Sequence, residues 1–338
     1  MTLKEALSRV VSRHDLTREE MAAVMGLMLA GEATHAQVGG FAVALRMKGE
    51  TEDEILGAAE AMRACATRIY PKADVVLDTC GTGGDGAHTF NISTAVALVA
   101  AGAGVTVAKH GNRAVSSRCG SSDVLAALGV SMDRSHEHVT HDIDTHGVGF
   151  LFAPSHHNAL RNVAPARREI GLYTMFNLLG PMTNPAGARF QLLGTFAGER
   201  LEQTARVLRR LGSQRAWVVH GRDGLDELSP CTSSDVAELR EDGSVRTFTL
   251  TPEDAGLERV KPESIVGGDV EENARRFKSL LEGERSGVRT AVVLNTAAAL
   301  VVVGKAVDLK EGAMRAVESI DSGAAASKLA ALVSGTFP

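Results

Sequence analysis

The chain has 338 residues, of which 44% are hydrophobic and only 4% aromatic, and its formal net charge is -5. This length suits about two domains, the apolar share excludes a disordered chain, and the sparse aromatics and absence of a long basic run argue against a stacking platform or broad positive surface for nucleic acid. No uncharged apolar run reaches the ~18 residues of a membrane span, the N-terminal stretch "MTLKEALSRVVSRHD" carries charge in every turn, unlike a secretory leader, and Cys65, Cys80, Cys119 and Cys231 form no C-x-x-C pair, as expected of free thiols in a reducing cytoplasm.

Up to about residue 70 one start signal repeats. Thr2 with Glu5, Thr17 with Glu20, Thr34 with Gln37 and Thr51 with Glu54 each place Glu or Gln three residues after Thr. That spacing lets the hydroxyl and the longer side chain satisfy each other's backbone amides at a helix start. Behind the boxes run apolar stripes at helical spacing: Leu7, Val10 and Val11; Met21, Val24, Met25 and Met28; Val38, Phe41 and Leu45; Ile55, Ala59 and Met62. The pattern predicts a small helical region.

The texture changes at residue 74. "ADVVLDT" predicts a strand that ends at glycines, "STAVALVAAGAG" a helix of small residues, "VTVAKHG" a strand, "SSDVLAALG" a helix and "GVGFLFAP" a strand. Further strands are expected at "AWVVHG", "VRTFTL" and "TAVVLNTAAAL", the last running into a helix. Alternating strands and helices imply crossover units and a mainly parallel sheet. Val163 to Gly187 interrupts the alternation with a helical stretch and then Gly180-Pro181 and Asn184-Pro185 turns. The pattern fits either a loop or a return of the chain to the helical region.

Within "DTCGTGGDGAHTFNIST", Asp78 to Thr94, four glycines fall between Gly81 and Gly86. A strand that ends in glycines before a helix can hold an anion, because backbone amides approach oxygens closely and the helix start adds partial positive charge. The stretch also fits G-x-G-x-x-G. However, the next strand ends in Lys109 and His110, where a nicotinamide fold often carries an acid for the ribose. Thr89, Asn91, Ser93 and Thr94 place side-chain donors between the glycines and the helix, which suits a richly phosphorylated ligand or its metal. Asp85 is tolerated beside such a ligand if it accepts loop amides.

A second cluster, "KHGNRAVSSRCGSSD", offers Lys109 and Arg113 to phosphate oxygens and Asn112 as donor and acceptor. Ser116, Ser117, Ser121 and Ser122 add hydroxyls, with Gly120 before a second helix start. In "HGRDGLDELS", Asp223, Asp226 and Glu227 follow a strand and suit a hard cation such as Mg²⁺, which takes oxygen ligands and shares them with phosphates. "HEHVTHDIDTH", His136 to His146, reads as an ordinary exposed amphipathic helix and not a metal site. His156-His157, at a strand end, are candidates for ligand contact.

Taken together, "GTGGDGAHTFNIST", "KHGNRAVSSRCGSSDVLAALG", "FLFAPSHHNALRNVAPARREIG", "FNLLGPMTNPAG" and "HGRDGLDELS" closely resemble the anthranilate phosphoribosyltransferase family in order and spacing. The resemblance spans almost the whole chain. It implies an α/β fold of the nucleoside phosphorylase/phosphoribosyltransferase-like class, with a small all-helical domain and a larger domain whose mainly parallel central sheet is flanked by helices. Residues 1–70 and about 163–190 would form the helical, dimerising domain, and residues 73–162 and 191–338 the domain that binds 5-phosphoribosyl-1-pyrophosphate. The implied reaction joins the phosphoribosyl group to the amine of anthranilate and releases pyrophosphate, a step of tryptophan biosynthesis in a cytoplasmic homodimer that binds neither nucleic acid nor membrane.

The family likeness also implies site roles. Gly81, Thr82, Gly83, Gly84 and Asp85, with Thr89, Asn91, Ser93, Thr94, Lys109 and Ser121, would hold the sugar donor. Ser93, Asp226 and Glu227 would hold Mg²⁺, with two ions per active site once donor is bound. His110, Asn112, Arg167 and Pro181 would line the anthranilate channel, Arg167 meeting the carboxylate. Lys109, Asn112 and Arg167 would be the catalytic residues. Tyr173 departs from the family's usual Arg, Asn158 and Asn162 from its Pro and His, and "SPCTSSD" from a more typical "STTGPT"-like stretch. These departures fall on the acceptor side. A pyrimidine-nucleoside phosphorylase of the same architecture is disfavoured by the intact glycine loop and the Asp226-Glu227 pair. A non-catalytic nucleic-acid-binding paralogue is disfavoured by the net charge, and a nicotinamide oxidoreductase by Lys109.

Overall fold

The computed structural model describes residues 1–114 and 118–335, so Ser116 and Ser117 lie outside the described residues. The threonine boxes open α1 (Leu3–Val11), α2 (Arg18–Ala30), α3 (His35–Lys48) and α4 (Glu52–Cys65), each with the reciprocal hydrogen bonds of a capping box. α2 packs on α4 and α1 on α3. Their stripes bury Val24, Met25, Met28, Phe41, Leu45 and Ile55.

The chain then builds β1 (Leu77–Asp78), α5 (Ile92–Gly102), β2 (Val107–Gly111), α6 (Ser121–Ala127), α7 (His136–His146) and β3 (Val148–Phe152). After the short α8 (Ala153–His156) and a 3₁₀ turn at Asn158–Asn162 come α9 (Ala164–Ile170) and α10 (Met175–Met182). The sheet resumes with β4 (Phe190–Gly194), α11 (Leu201–Arg210), β5 (Arg215–Gly221), β6 (Ser234–Leu239) and β7 (Val245–Leu250). The chain closes on α12 (Val270–Leu281), α13 (Gly287–Val302), α14 (Leu309–Asp321) and α15 (Ala324–Ser334).

The strands form one sheet in the order β3-β2-β1-β4-β5-β6-β7. The first five are parallel, and β6 and β7 add an antiparallel edge. From β1 the chain winds outward to β3, then crosses back to β4 on β1's other side. The C-terminal ends of β1 and β4 therefore flank the topological switch point, where open α/β sheets place their ligands. One sheet face packs with α5 and α13, and the face formed by β4, β5 and β6 shares a core with α11 and the N-terminal helices.

Several local expectations change. "TAVVLNTAAAL" is helix throughout, inside α13, which is capped by Ser286 and buried nearly all round. A helix that is apolar on every side reads like a buried strand. "ADVVLDT" pairs only at Leu77–Asp78. β4 and β6 went unmarked, because β4 is buried at every position, Gln191 included, and β6 carries Asp235 and Glu238. Those acids are accommodated by Arg222 on Asp235 at 2.8 Å and Arg240 on Glu238 at 3.0 Å. The Gly180-Pro181 turn lies inside α10, which ends at Thr183, whose hydroxyl donates to the Leu179 carbonyl at 3.0 Å.

The interrupting segment returns to the N-terminal helices. α9 packs on α3, and α10 on α3 and α4, burying Val163, Ala166, Phe176 and Leu179 in the same core. Buried Arg63 of α4 ties the units together, donating to the Met182 carbonyl at 2.8 Å and the Leu211 carbonyl at 2.7 Å. Asn184, just past α10, reaches the sheet and donates to Asp78 at 2.7 Å and to the Ala108 carbonyl at 2.9 Å.

Candidate active site

The loop after β1 crosses the mouth of the switch point. Gly83, Gly84 and Gly86 have positive φ, the backbone form that lets successive amides turn to one side. Its start is pinned to the sheet: Thr82 donates its amide to the Gly194 carbonyl at 2.9 Å, and Gly83 donates to Asp226 at 2.7 Å. Its far end is held by the Thr89 bridge to Val266. Asp85 accepts the Ala87 amide at 3.0 Å, the loop role expected of it, but its second carboxylate oxygen is buried without a hydrogen-bond donor and faces Asp226. α5 then starts at Ile92 behind Asn91, whose side chain makes no cap and instead bridges Cys119 and Asn273. The α5 start thus lacks a side-chain cap, and the buried Thr94 hydroxyl has no partner. A helix N-terminus left in that state attracts anions.

Asp226 and Glu227, on the loop after β5, face this helix start. Burial, and then the neighbouring Asp85, raise the Asp226 carboxyl to about 7. Burial and Asp226 raise Glu227 well above the usual carboxylate range, against the pull of Lys109 and a hydrogen bond from the Ser93 amide. Lys109, only 4% exposed in the middle of β2, pulls on Glu227 and spends one donor on the His110 carbonyl at 2.9 Å. An excess of buried carboxylates is a cation site by charge. Yet among the described residues no group of three or more His, Cys, Asp or Glu is preformed to chelate a metal. The donor set fits Mg²⁺ whose remaining ligands are phosphate oxygens and water. Asp223, grouped with this pair by sequence, is not part of it, since it accepts the Ser229 hydroxyl at 2.6 Å inside its own turn.

The acceptor side is built by β2 and the return segment. Asp78, fully buried, receives the His110 amide at 3.1 Å, and burial pushes its carboxyl up. The His110 ring meets the Gly180 carbonyl through Nδ1 at 3.1 Å and lies 5.2 Å from the His157 ring. Burial lowers both imidazoles, His157 to about 4, so both are neutral near pH 7. The Nε2 atoms of both rings are buried without partners. Arg167 of α9 stacks over Phe176 at 5.3 Å, and burial lowers its guanidinium. Among the described residues the Arg167 guanidinium makes no ion pair or hydrogen bond, and the Phe176 ring is the contact it keeps. An unpaired, desolvated guanidinium flanked by neutral rings is a receptor for a small carboxylate.

The glycine loop, the α5 start, the acidic pair and the acceptor-side residues line one cavity of about 390 Å³. The glycine loop, Thr89, Asn91, Ser93, Thr94, Lys109 and Ser121 share it with Asp226 and Glu227, and His110, Asn112, Arg167 and Pro181 line it too. The second helix start is less open than its sequence suggests. Asp123 accepts the Gly120 and Ala114 amides at 2.9 Å, and Ser121 exchanges hydrogen bonds with Asn112. His157 reaches the cavity, whereas His156 turns to the Thr67 carbonyl at 2.9 Å. The α7 helix forms as expected, but it is not simply exposed, for Asp142 is buried against Arg134. Tyr173, noted in the sequence as a departure from the family pattern, is on the cavity wall, and sequence reasoning missed Phe176, Asn177 and Met62 beside it and the Asp78–Asn184 pair behind it. The buried acid after an apolar run and the Asn-Pro of the interrupting segment were the available signals.

Comparison with known proteins agrees with this geometry. Residues 4–66 match the helical bundle domain, and residues 73–326 the a/b domain, of a glycosyl transferase family. An anthranilate phosphoribosyltransferase of Myxococcus xanthus is 75% identical over 335 residues, covering 99% of each chain. The crystal structure of the enzyme of that name from Thermus thermophilus has a TM-score of 0.92 at 44% identity, covering 98% of each chain. The one from Saccharomyces cerevisiae, in complex with PRPP and Mg, has a TM-score of 0.89 at 27% identity, covering 98% of this chain and 97% of that one. By sequence along nearly its full length and by fold, the chain belongs to the anthranilate phosphoribosyltransferase family.

Proposed function

We infer that the cavity at the sheet's switch point carries out the family's reaction. The chain transfers the 5-phosphoribosyl group from 5-phosphoribosyl-1-pyrophosphate to the amine of anthranilate, releasing pyrophosphate, in tryptophan biosynthesis. The observation that carries the reading is the division of one cavity into two ends. One end has glycine-loop amides, an uncapped helix start and buried acids, and the other has a half-buried guanidinium, without an ion pair among the described residues, beside neutral histidines.

As the anomeric C–O bond of the donor breaks, positive charge grows on the ribose and negative charge on the departing diphosphate. Glycine-loop amides, the Ser93–Thr94 start of α5 and Lys109 are fixed in place before that charge develops, which is what makes such donors effective. Asp226, Glu227 and Ser93 would hold Mg²⁺, which when bound neutralises diphosphate charge. Two ions per site belong to this proposal. The amine of anthranilate conjugates with its ring and is neutral near pH 7, so no strong base is needed before attack. Arg167 would hold the carboxylate, while His110, Asn112 and Pro181 aim the amine at the anomeric carbon, so positioning supplies much of the rate.

The return segment is assigned to the helical domain, supported by its packing on α3 and α4. A homodimer paired through that domain and a cytoplasmic location complete the proposal. Free cysteines support the location. The reading is tested by adding phosphoribosyl pyrophosphate to purified protein with anthranilate and following anthranilate fluorescence. A Mg²⁺-dependent loss is expected. Turnover of another aromatic amine with none of anthranilate would reassign the acceptor.

A further inference from the structure

Tyr173 lies between α9 and α10, on the segment that carries Arg167, and is anchored to the N-terminal helices by Arg46 of α3, which donates to its carbonyl. Its ring leaves that segment and covers the diphosphate loop. A methyl group placed on Gly84 would overlap Cε1, Cζ and Oη of Tyr173, so the ring lies directly on the loop backbone at the tip of the turn. The ring also meets Phe196, with centroids 4.9 Å apart. Phe196 in turn donates its amide to the Thr82 hydroxyl at 3.3 Å. One aromatic side chain thus contacts the loop directly at Gly84 and, through Phe196, its root at Thr82.

We infer that Tyr173 is a positioning residue that clamps the Gly81–Gly86 loop over the diphosphate and closes the wall between donor and acceptor ends against water. The inference rests on the reading of that loop as the diphosphate cradle. Gly84 has φ +89°, and a side chain there would have to displace the ring as well as adopt a left-handed backbone. The pair is therefore matched, with glycine on the loop making room for the aromatic on the return segment. With the ring in place, the loop is held by Asp226 at Gly83 and by Tyr173 at Gly84. Without it, water would reach the anomeric carbon. The C–O bond to the diphosphate would then break, the water oxygen would bond to that carbon, and a proton would pass to solvent, giving ribose 5-phosphate and pyrophosphate without acceptor.

The test measures donor KM, acceptor KM and pyrophosphate released per N-(5-phosphoribosyl)anthranilate formed. Tyr173→Ala is expected to raise donor KM by about three- to tenfold, the worth of an aromatic contact. It should also lift pyrophosphate release to at least about twice product formation, the mark of a site that no longer excludes water. Tyr173→Phe keeps the ring and should restore most of both. Gly84→Ala should weaken donor binding in the native chain and do so much less in the Tyr173→Ala background, because the overlapping atoms are gone and only the backbone cost is left. Additive effects of the two substitutions, or native coupling in Tyr173→Ala, would overturn the clamp. Asp226→Asn, measured alongside, separates the two levels. If it leaves donor affinity unchanged, the cradle reading fails and the clamp fails with it. If it weakens donor binding while Tyr173→Ala behaves as native, the clamp alone fails.

Discussion

Arg167 gives the sharpest check of the acceptor end, because its structure predicts a loss of activity with little change in stability. Its guanidinium is desolvated enough to lower its affinity for a proton, and it has a ring face at 5.3 Å but no carboxylate. A charge-assisted hydrogen bond is worth about 1.5–3 kcal/mol. Losing the bond to the anthranilate carboxylate in Arg167→Ala therefore raises anthranilate KM by roughly ten- to a hundredfold, while donor KM moves by less than about twofold. The same substitution takes away a half-buried charge with no ion pair among the described residues, so the usual penalty for breaking an ion pair is absent. The urea midpoint is expected to stay close to native. Arg167→Lys keeps the charge but loses the fork and the stacking, and should sit between Ala and native. Steady-state kinetics with donor and acceptor varied separately, plus urea titrations of the apo protein, measure all of this. Equal rises in both KM values, or a stability loss that parallels the activity loss, would refute the carboxylate role.

Three further outcomes follow from the same geometry. Gly194 faces the Asp226 carbonyl so closely that a methyl group there would overlap it, so Gly194→Ala should shift the acidic loop and weaken Mg²⁺-dependent turnover; unchanged rates across a Mg²⁺ titration would count against this. Asn184→Ala strips a donor from buried Asp78 and should cost about 1–3 kcal/mol of stability, read as a lower urea midpoint, whereas a native midpoint would mean that another group satisfies the acid. His157 is neutral in the fold, with its pKa near 4, while the unfolded chain takes up its proton below about 6.5. Stability should therefore be full above that value and decline as pH falls toward 4. His157→Gln should remove on the order of 2 kcal/mol of the decline between pH 7 and 5, and an identical pH profile in the variant would contradict its burial as a neutral ring.

What the sequence made legible was local. Capping boxes are decided within four residues, so α1 to α4 could be placed from Thr–Glu and Thr–Gln pairs alone. Glycine loops and basic strand ends carry their chemistry in their own residue types, which is why the loop, Lys109 and the Asp226-Glu227 pair stood out. What did not show were features decided by distant partners. β6 is a strand because Arg222 and Arg240 balance its acids. α13 is a helix in surroundings so apolar that its pattern loses its period. Asp78 gains a role only when Asn184, more than a hundred residues away, meets it. Asp223 looked like a cation ligand until its turn folded it onto Ser229.

The distribution of unpaired buried groups explains why the return segment is needed at all. The donor end accumulates carboxylates beyond what Lys109 can balance, and the acceptor end holds a guanidinium and imidazole nitrogens without partners. Each is costly in a folded protein, and within one rigid core neighbouring side chains would evolve to satisfy them. Here the two sets sit on different layers. The acids belong to loops at the C-terminal ends of β1 and β5, and Arg167 belongs to the return segment packed on α3 and α4. Opposite charges on the two layers cannot neutralise each other across the cavity without collapsing it, and the glycine loop and α10 hold its walls apart. Mg²⁺ arriving with the diphosphate would balance the acids at one end, and the acceptor's carboxylate would balance the guanidinium at the other. On this reading the interruption of the βα pattern places a cationic receptor opposite the sheet's own anion site, with the reacting carbon and nitrogen meeting between them.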